Sequence, residues 1–163
     1  MPPINSRILC IDIKNQQLTL KEDGTVLGKW RVSTAEKGTG CRNGSFQTPV
    51  GKHRIRACIG GGRPTNTVFV GRRASGEIYD RSLADEYPAR DWILTRILWL
   101  CGEELGVNRG GDLDSQRRYI YIHGTPDSEP MGIPKSHGCI RMRNDDIVEL
   151  FEKVQPGDKV LIS

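Results

Sequence analysis

Three short apolar runs open this chain, separated by turn-sized gaps, and that spacing predicts a β-meander. Arg7 to Ile13 and Gln17 to Lys21 are joined through Asn15. Glu22-Asp23-Gly24 then turns the chain into Val26 to Val32, where Val26, Trp30 and Val32 alternate. One side of such a meander suits a core. Ser33 to Gly51 is a long connection rich in Gly, Ser and Thr that ends in Thr48-Pro49-Val50-Gly51. His53 to Ala57, Val68 to Val70 and Lys159 to Ile162 read as further short strands.

Two helices are predicted among these strands. From Asp91 to Leu105, the residues Ile93, Leu94, Ile97, Leu98, Cys101 and Leu105 fall on one face at 3.6 spacing, with Asp91 to cap the start and Gly106 to end it. On that helix Trp92 and Trp99 read as core or boundary residues rather than as platforms for a sugar ring. A second helix starts at Asn144 as cap and buries Ile147, Leu150, Phe151 and Val154; Pro156-Gly157-Asp158 then turns into the last strand. No repeat or linker interrupts this order. The expectation is one mainly β domain with two helices (α+β) spanning residues 1–163, able to bury about 70% of its unfolded surface.

Composition narrows the function classes. A net charge of +4 is too small to argue for nucleic acid, and no apolar run approaches the ~18 residues of a membrane span. Met1 to Cys10 lacks the basic start and apolar core of an export leader. Cys10, Cys41, Cys58, Cys101 and Cys139 are odd in number and hold no C-x-x-C pair, which suits a reducing compartment. Cys10 and Cys101 read as small buried hydrophobes. The chain as written is therefore expected in the cytoplasm, or in the periplasm if an export segment has been removed from it. Gly60-Gly61-Gly62 lacks the Lys-Ser/Thr ending of a phosphate loop and reads as a turn.

Chemistry concentrates between Tyr119 and Met142, YIYIHGTPDSEPMGIPKSHGCIRM, where two of the three histidines and one cysteine share 24 positions. Arg118 to His123 alternates as a strand, with Ile120 and Ile122 on one face and Tyr119, Tyr121 and His123 on the other. His123 then ends that strand and leads into the Gly-Pro-rich loop 124–134. The loop returns to Ser136-His137-Gly138-Cys139, where Gly138 permits a tight turn that presents the sulfur together with backbone N–H groups. A histidine within reach of a cysteine can take the thiol proton and return it to a leaving amine. The polar turn, the two histidines and Arg141 are expected to favour the thiolate.

A His-Gly pair, a loop, and then S-H-G-C followed by a hydrophobic residue resembles the active site of the YkuD-type L,D-transpeptidases. The resemblance extends through Val32-Ser33-Thr34 and Thr48-Pro49-Val50-Gly51 upstream and through the last helix and strand. It departs at Arg141, where a common form of the motif has asparagine. It implies a flattened β-sandwich or barrel with the Cys-His loop at its edge. It also implies Cys139 as nucleophile and His123 as general base, with the Gly124 carbonyl orienting the ring. His137 would support the turn or the acceptor, Ser136 would bond locally, and the N–H groups of Gly138 and Cys139 are oxyanion candidates. Arg141 is expected to bind a substrate carboxylate, and Tyr121 is a further candidate substrate contact.

The implied partner is a peptidoglycan stem peptide or soluble muropeptide, with carbapenem-type inhibitors expected and no cofactor. The tetrapeptide would be cleaved before its terminal D-alanine, leaving a thioester. Water would release a tripeptide (L,D-carboxypeptidase); an amine from a second stem would give a 3→3 cross-link. The cytoplasmic expectation favours water. Two rivals are weaker. A zinc site from His123, His137 and Cys139 lacks a carboxylate in the motif and has unusual ligand spacing. A non-catalytic wall-binding module has no need of a base beside a thiol.

Overall fold

The computed structural model describes residues 6–163; the first five residues, part of the stretch searched for a leader, lie outside the described residues. The meander is present as β1 (Arg7–Asp12), β2 (Gln17–Glu22) and β3 (Thr25–Arg31). Period-two alternation sets its inner face: Leu9 lies opposite Leu20 and Ile11 opposite Leu18, and all four are fully buried. A register shift between Leu20 and Lys21 disturbs the start of β3. Val26 is exposed as a result, while Trp30 and Val32 remain in the core.

The remaining strands are β4 (Gly51–Ile59), β5 (Thr67–Val70), β6 (Arg73–Ile78), β7 (Leu94–Gly102), β8 (Tyr121–Thr125), β9 (Ile140–Arg143) and β10 (Lys159–Ile162). The two helices are α1 (Arg81–Glu86) and α2 (Asn144–Phe151). The ten strands form one curled sheet in the order β3-β2-β1-β10-β4-β7-β5-β6, with β8 branching from β7 and carrying β9 on its far side. The protein is mainly β with two helices. Ile147 and Leu150 of α2 close the main core against Leu98, Ile122, Ile140 and Met142. Full burial of each such side chain contributes about 1.5–3 kcal/mol.

The predicted helix over Asp91–Leu105 is instead β7. This strand runs through the sheet with β4 and β5 along one edge and β8 along the other, and apolar clusters cover both its faces. A strand buried on both faces has no polar side, so its apolar residues run nearly continuously and mimic a helical stripe. Cys101 is buried on this strand, Leu105 is 82% exposed beyond it, and Asp91 caps no helix. Cys10 is only partly buried. The short α1, together with β6 and β9, went unread in the sequence.

Two corrections bear directly on the site. β8 begins at Tyr121, not Arg118, because Tyr119 turns into the left-handed region (φ +55) with its ring exposed; His123 therefore sits mid-strand. Asn144 opens α2 but caps nothing with its side chain. Its buried amide accepts from Thr95 Oγ1 (2.6 Å) and donates to Asn66 Oδ1 (3.0 Å), tying α2 to the start of β7.

Candidate active site

β8 and β9 are parallel neighbours, and a parallel pair needs a long crossover between its strands. Here the crossover is the loop 126–139, which holds most of the motif. The register sets Ile122 opposite Ile140 and His123 opposite Arg141. Alternation then sends Ile122, Ile140 and Met142 into the main core. His123 and Tyr121 share the other face with Arg141 and with Cys139, which lies level with Tyr121 just before β9.

The turn before β9 is fixed from three sides. Ser136 Oγ donates to the Cys139 carbonyl (2.5 Å) and accepts from Gly138 N–H (3.3 Å). Thr48 Oγ1 donates to the Gly138 carbonyl (3.0 Å) and accepts from Ala35 N–H (3.0 Å). Ser33 exchanges backbone hydrogen bonds with Arg141, and Lys135 and Ser136 N–H donate to the Thr34 carbonyl. Both upstream segments singled out in the sequence, Val32–Thr34 and Thr48, are therefore braces for this turn. Gly138 itself holds φ +134, a conformation that side chains other than glycine's rarely allow.

The sulfur of Cys139 lies between two backbone groups of the neighbouring segment. Its S–H donates toward the Tyr119 carbonyl (3.4 Å), and Tyr121 N–H donates to it (3.4 Å). Cys139 is partly exposed, on a cleft of about 200 Å³ lined by Asn43, Gly44, Phe46, Arg118, Ile120 and His137. Burial of the thiol nonetheless pushes its pKa from 9.0 up to about 11. Tyr121 N–H, Arg141 and Arg118 pull it down, and Asp91 adds to the rise. The resting group is the thiol, not the thiolate expected from the motif. Desolvation outweighs the arginines, which the sequence could not weigh.

His123 is buried, and its Nδ1 donates to the Gly124 carbonyl at 2.6 Å when the proton is on that nitrogen. Burial holds the ring below the ordinary 6.5, against the raising effect of that carbonyl. A neutral ring protonated at Nδ1 leaves Nε2 with a free lone pair. Gly124 must be glycine for packing reasons: a Cβ there would meet Asn144 Oδ1 and Leu94 O, each at 2.5 Å.

His137 stands elsewhere. It is 62% exposed, packs edge-on against Phe46 (6.3 Å between centroids), and places Nδ1 3.5 Å from Asp91 Oδ2. It separates the Cys139 cleft from a second of about 240 Å³, lined among others by Asp91, Glu129, Lys135 and Arg141. Arg141 is 7% exposed and already engaged. Nη2 donates to Asp91 Oδ1 (2.9 Å), Nη1 donates to the Lys135 carbonyl (3.3 Å), and Glu129 Oε2 lies 3.7 Å away. Tyr121 is buried, with its hydroxyl accepting from Arg72 (3.1 Å), so it backs the sulfur instead of facing a cleft.

Sequence reasoning missed Asp91, which links His137 to Arg141 from a loop about 50 positions away. Its misreading as a helix cap hid it, and no local signal marks it. Glu129 and Arg118 were closer at hand. Arg118 donates to the carbonyls of Gly40 (3.1 Å) and Gln47 (2.6 Å), holding the far wall of the Cys139 cleft. Among the described residues no three His, Cys, Asp or Glu side chains converge to hold a metal ion.

Comparison with known proteins agrees with this geometry. Residues 6–162 match the YkuD family, described as L,D-transpeptidase catalytic domain. YbiS of Escherichia coli (strain K12), named a probable L,D-transpeptidase, is 51% identical over 43 residues, 26% of this chain and 14% of that protein. Among solved structures, L,D-transpeptidase LdtMt1 in complex with imipenem aligns with 98% of this chain and 59% of its own (TM-score 0.55, 18% identity). Bd1075 of Bdellovibrio bacteriovorus aligns with all of this chain and 49% of its own (TM-score 0.62, 15% identity). The chain thus spans only about half the length of these solved relatives, and at such identities they share its fold.

Proposed function

This chain belongs to the YkuD family of L,D-transpeptidase catalytic domains, and on that premise we propose that Cys139 is the nucleophile of an acyl transfer on peptidoglycan stem tetrapeptides. The observation that carries the reading is His123 on the face of Cys139, with its Nδ1 tied to the Gly124 carbonyl at 2.6 Å. A backbone carbonyl fixes the tautomer here as a carboxylate does elsewhere. Thiol and imidazole are both neutral at rest, so the proton passes from Sγ to Nε2 as the sulfur attacks the carbonyl of the third stem residue. The C–N bond to D-alanine then breaks, the proton goes from His123 to the departing amine, and a thioester remains. Cys139 N–H is the leading oxyanion donor, because Gly138 N–H already faces Ser136.

Arg141 receives a substrate carboxylate. Glu129, at 3.7 Å, is its loosest partner and the one an incoming carboxylate replaces. Water is the main acceptor of the acyl group, which makes the protein an L,D-carboxypeptidase for soluble muropeptides in the cytoplasm. Five unpaired cysteines support a reducing compartment, where no polymerised wall offers a second stem. Cross-linking is the second reading, favoured by the L,D-transpeptidase names of the relatives.

Mass spectrometry of a disaccharide-tetrapeptide, incubated with and without a free D-amino acid, separates the two. The expected products are tripeptide and D-alanine with little 3→3 dimer; dominant dimer or D-amino acid exchange gives the transpeptidase instead. Imipenem is expected to add covalently to Cys139, and a protein that only binds wall material gives no adduct.

A further inference from the structure

The hairpin joining β5 to β6 reaches across to the segment that holds the Cys139 sulfur. Its two-residue turn, Gly71-Arg72, has φ of +57 and +64, the geometry of a type I′ turn. Glycine or asparagine suits the second position of such a turn; an arginine there carries backbone strain. The arginine side chain is correspondingly well engaged. Its guanidinium carbon lies 4.3 Å from the centroid of the Trp99 ring and 5.0 Å from that of Tyr119. Nη1 donates to the Tyr121 hydroxyl at 3.1 Å. Trp99 is anchored in turn, pairing with Tyr121 between β7 and β8 and donating Nε1 to the Gln116 carbonyl (3.2 Å).

Tyr119 and Tyr121 are the residues whose backbone flanks the sulfur, one by its carbonyl and the other by its N–H. Tyr119 is itself left-handed and the residue is 55% exposed, so core packing does not pin it. We propose that Arg72 is a positioning residue for the nucleophile: by clamping both tyrosines it keeps the Tyr119 carbonyl and Tyr121 N–H aimed at Cys139 Sγ. The inference rests on the reading of Cys139 as nucleophile. Planarity is essential to the clamp, because a guanidinium stacks on two rings and donates at its edge while an ammonium does not. The groups that face the sulfur are Asp91 and Arg141, which pair with each other, Arg118, next to Tyr119 in the chain and held by the Gly40 and Gln47 carbonyls, and the histidines His123 and His137.

The test is alkylation of Cys139 by iodoacetamide in the full chain, followed peptide by peptide by mass spectrometry from about pH 6 to about pH 11. Melting temperature and the kinetics of tripeptide release are recorded beside it. Arg72→Ala is expected to disturb both groups at the sulfur, shifting the alkylation midpoint and changing the alkylation rate near neutral pH by about threefold or more. Its kcat is expected to fall about tenfold with KM nearly unchanged. Arg72→Lys restores the melting temperature but not the alkylation profile. Tyr121→Phe, which deletes only the accepting hydroxyl, moves the midpoint the same way by less, and carries the test if Arg72→Ala does not fold. A midpoint and rate that stay put overturn the proposal, as does full recovery by Arg72→Lys. Alkylation needs no stem peptide. A shifted profile in a protein that cleaves no tetrapeptide keeps the clamp and rejects the substrate; cleavage with an unshifted profile does the reverse.

Discussion

At the scale of single residues, the two histidines of the motif have opposite surroundings. His123 is buried and held by a backbone carbonyl, whereas His137 is exposed beside Asp91. Replacing His123 with alanine is expected to cut turnover by about 10²–10⁴, the usual worth of general base catalysis, and His137→Ala to cost less. The reverse ranking in steady-state assays reassigns the base. Cys139→Ser and Cys139→Ala are both expected to abolish turnover in the tetrapeptide assay, while Cys10→Ala, Cys58→Ala and Cys101→Ala are expected to retain it. Arg141 makes a different prediction. Lysine keeps the charge but not the planar fork that reaches Asp91 and the Lys135 carbonyl at once. Arg141→Lys is expected to raise KM in a protein that still folds; kinetics equal to the parent's make Arg141 a structural tie for Asp91.

At the scale of elements, the close contact between β8 and β7 leaves no room at Gly124. A methyl group there would press on the Leu94 carbonyl, which belongs to the backbone of β7 and cannot swing away. Gly124→Ala is expected to destabilise by about 1–3 kcal/mol through overpacking, seen as a lower denaturant midpoint. It should also lower kcat, since the same residue supplies the carbonyl that orients His123. A stable Gly124→Ala protein with parental kcat contradicts both halves. The β7 strand shows why this contact was invisible in the sequence. Leu94–Gly102 carries apolar residues on both faces because it is covered on both, and local periodicity does not report what lies across a sheet.

At the scale of the whole molecule, burial holds two histidines and two cysteines toward their neutral forms, and they shape how stability depends on pH. His123 and His53 are both held below 6.5 by burial, so the unfolded chain binds more protons than the native one once the pH falls under that value. Their contribution is complete above 6.5 and is lost as pH falls toward the folded values. Cys139 and Cys58 are both raised from 9.0 to about 11, again by burial. Their contribution is complete below 9.0 and is lost as pH rises toward about 11. Melting temperature is therefore expected to peak between 6.5 and 9.0 and to decline on both sides. His53→Gln should flatten the acid side without touching turnover, because its ring serves only Ser115 and the Gly51 carbonyl. An acid limb unchanged in that variant assigns the decline to other groups.

The sequence by itself determined the meander, the last strand, the stripe of α2 and the pairing of a histidine with a cysteine around a glycine-bearing turn. Each of these rests on local chemistry: alternation, turn residues, 3.6 spacing, or a motif packed into 24 positions. Tertiary structure decided the rest. It made Leu94–Gly102 a strand by covering both its faces, and it kept the Cys139 thiol protonated because the cost of desolvation depends on what surrounds the sulfur. It also brought Asp91 to His137 and Arg141, and Arg72 to Tyr119 and Tyr121, across roughly 50 positions. No local pattern records a contact of that separation, because it exists only once the sheet has closed around it.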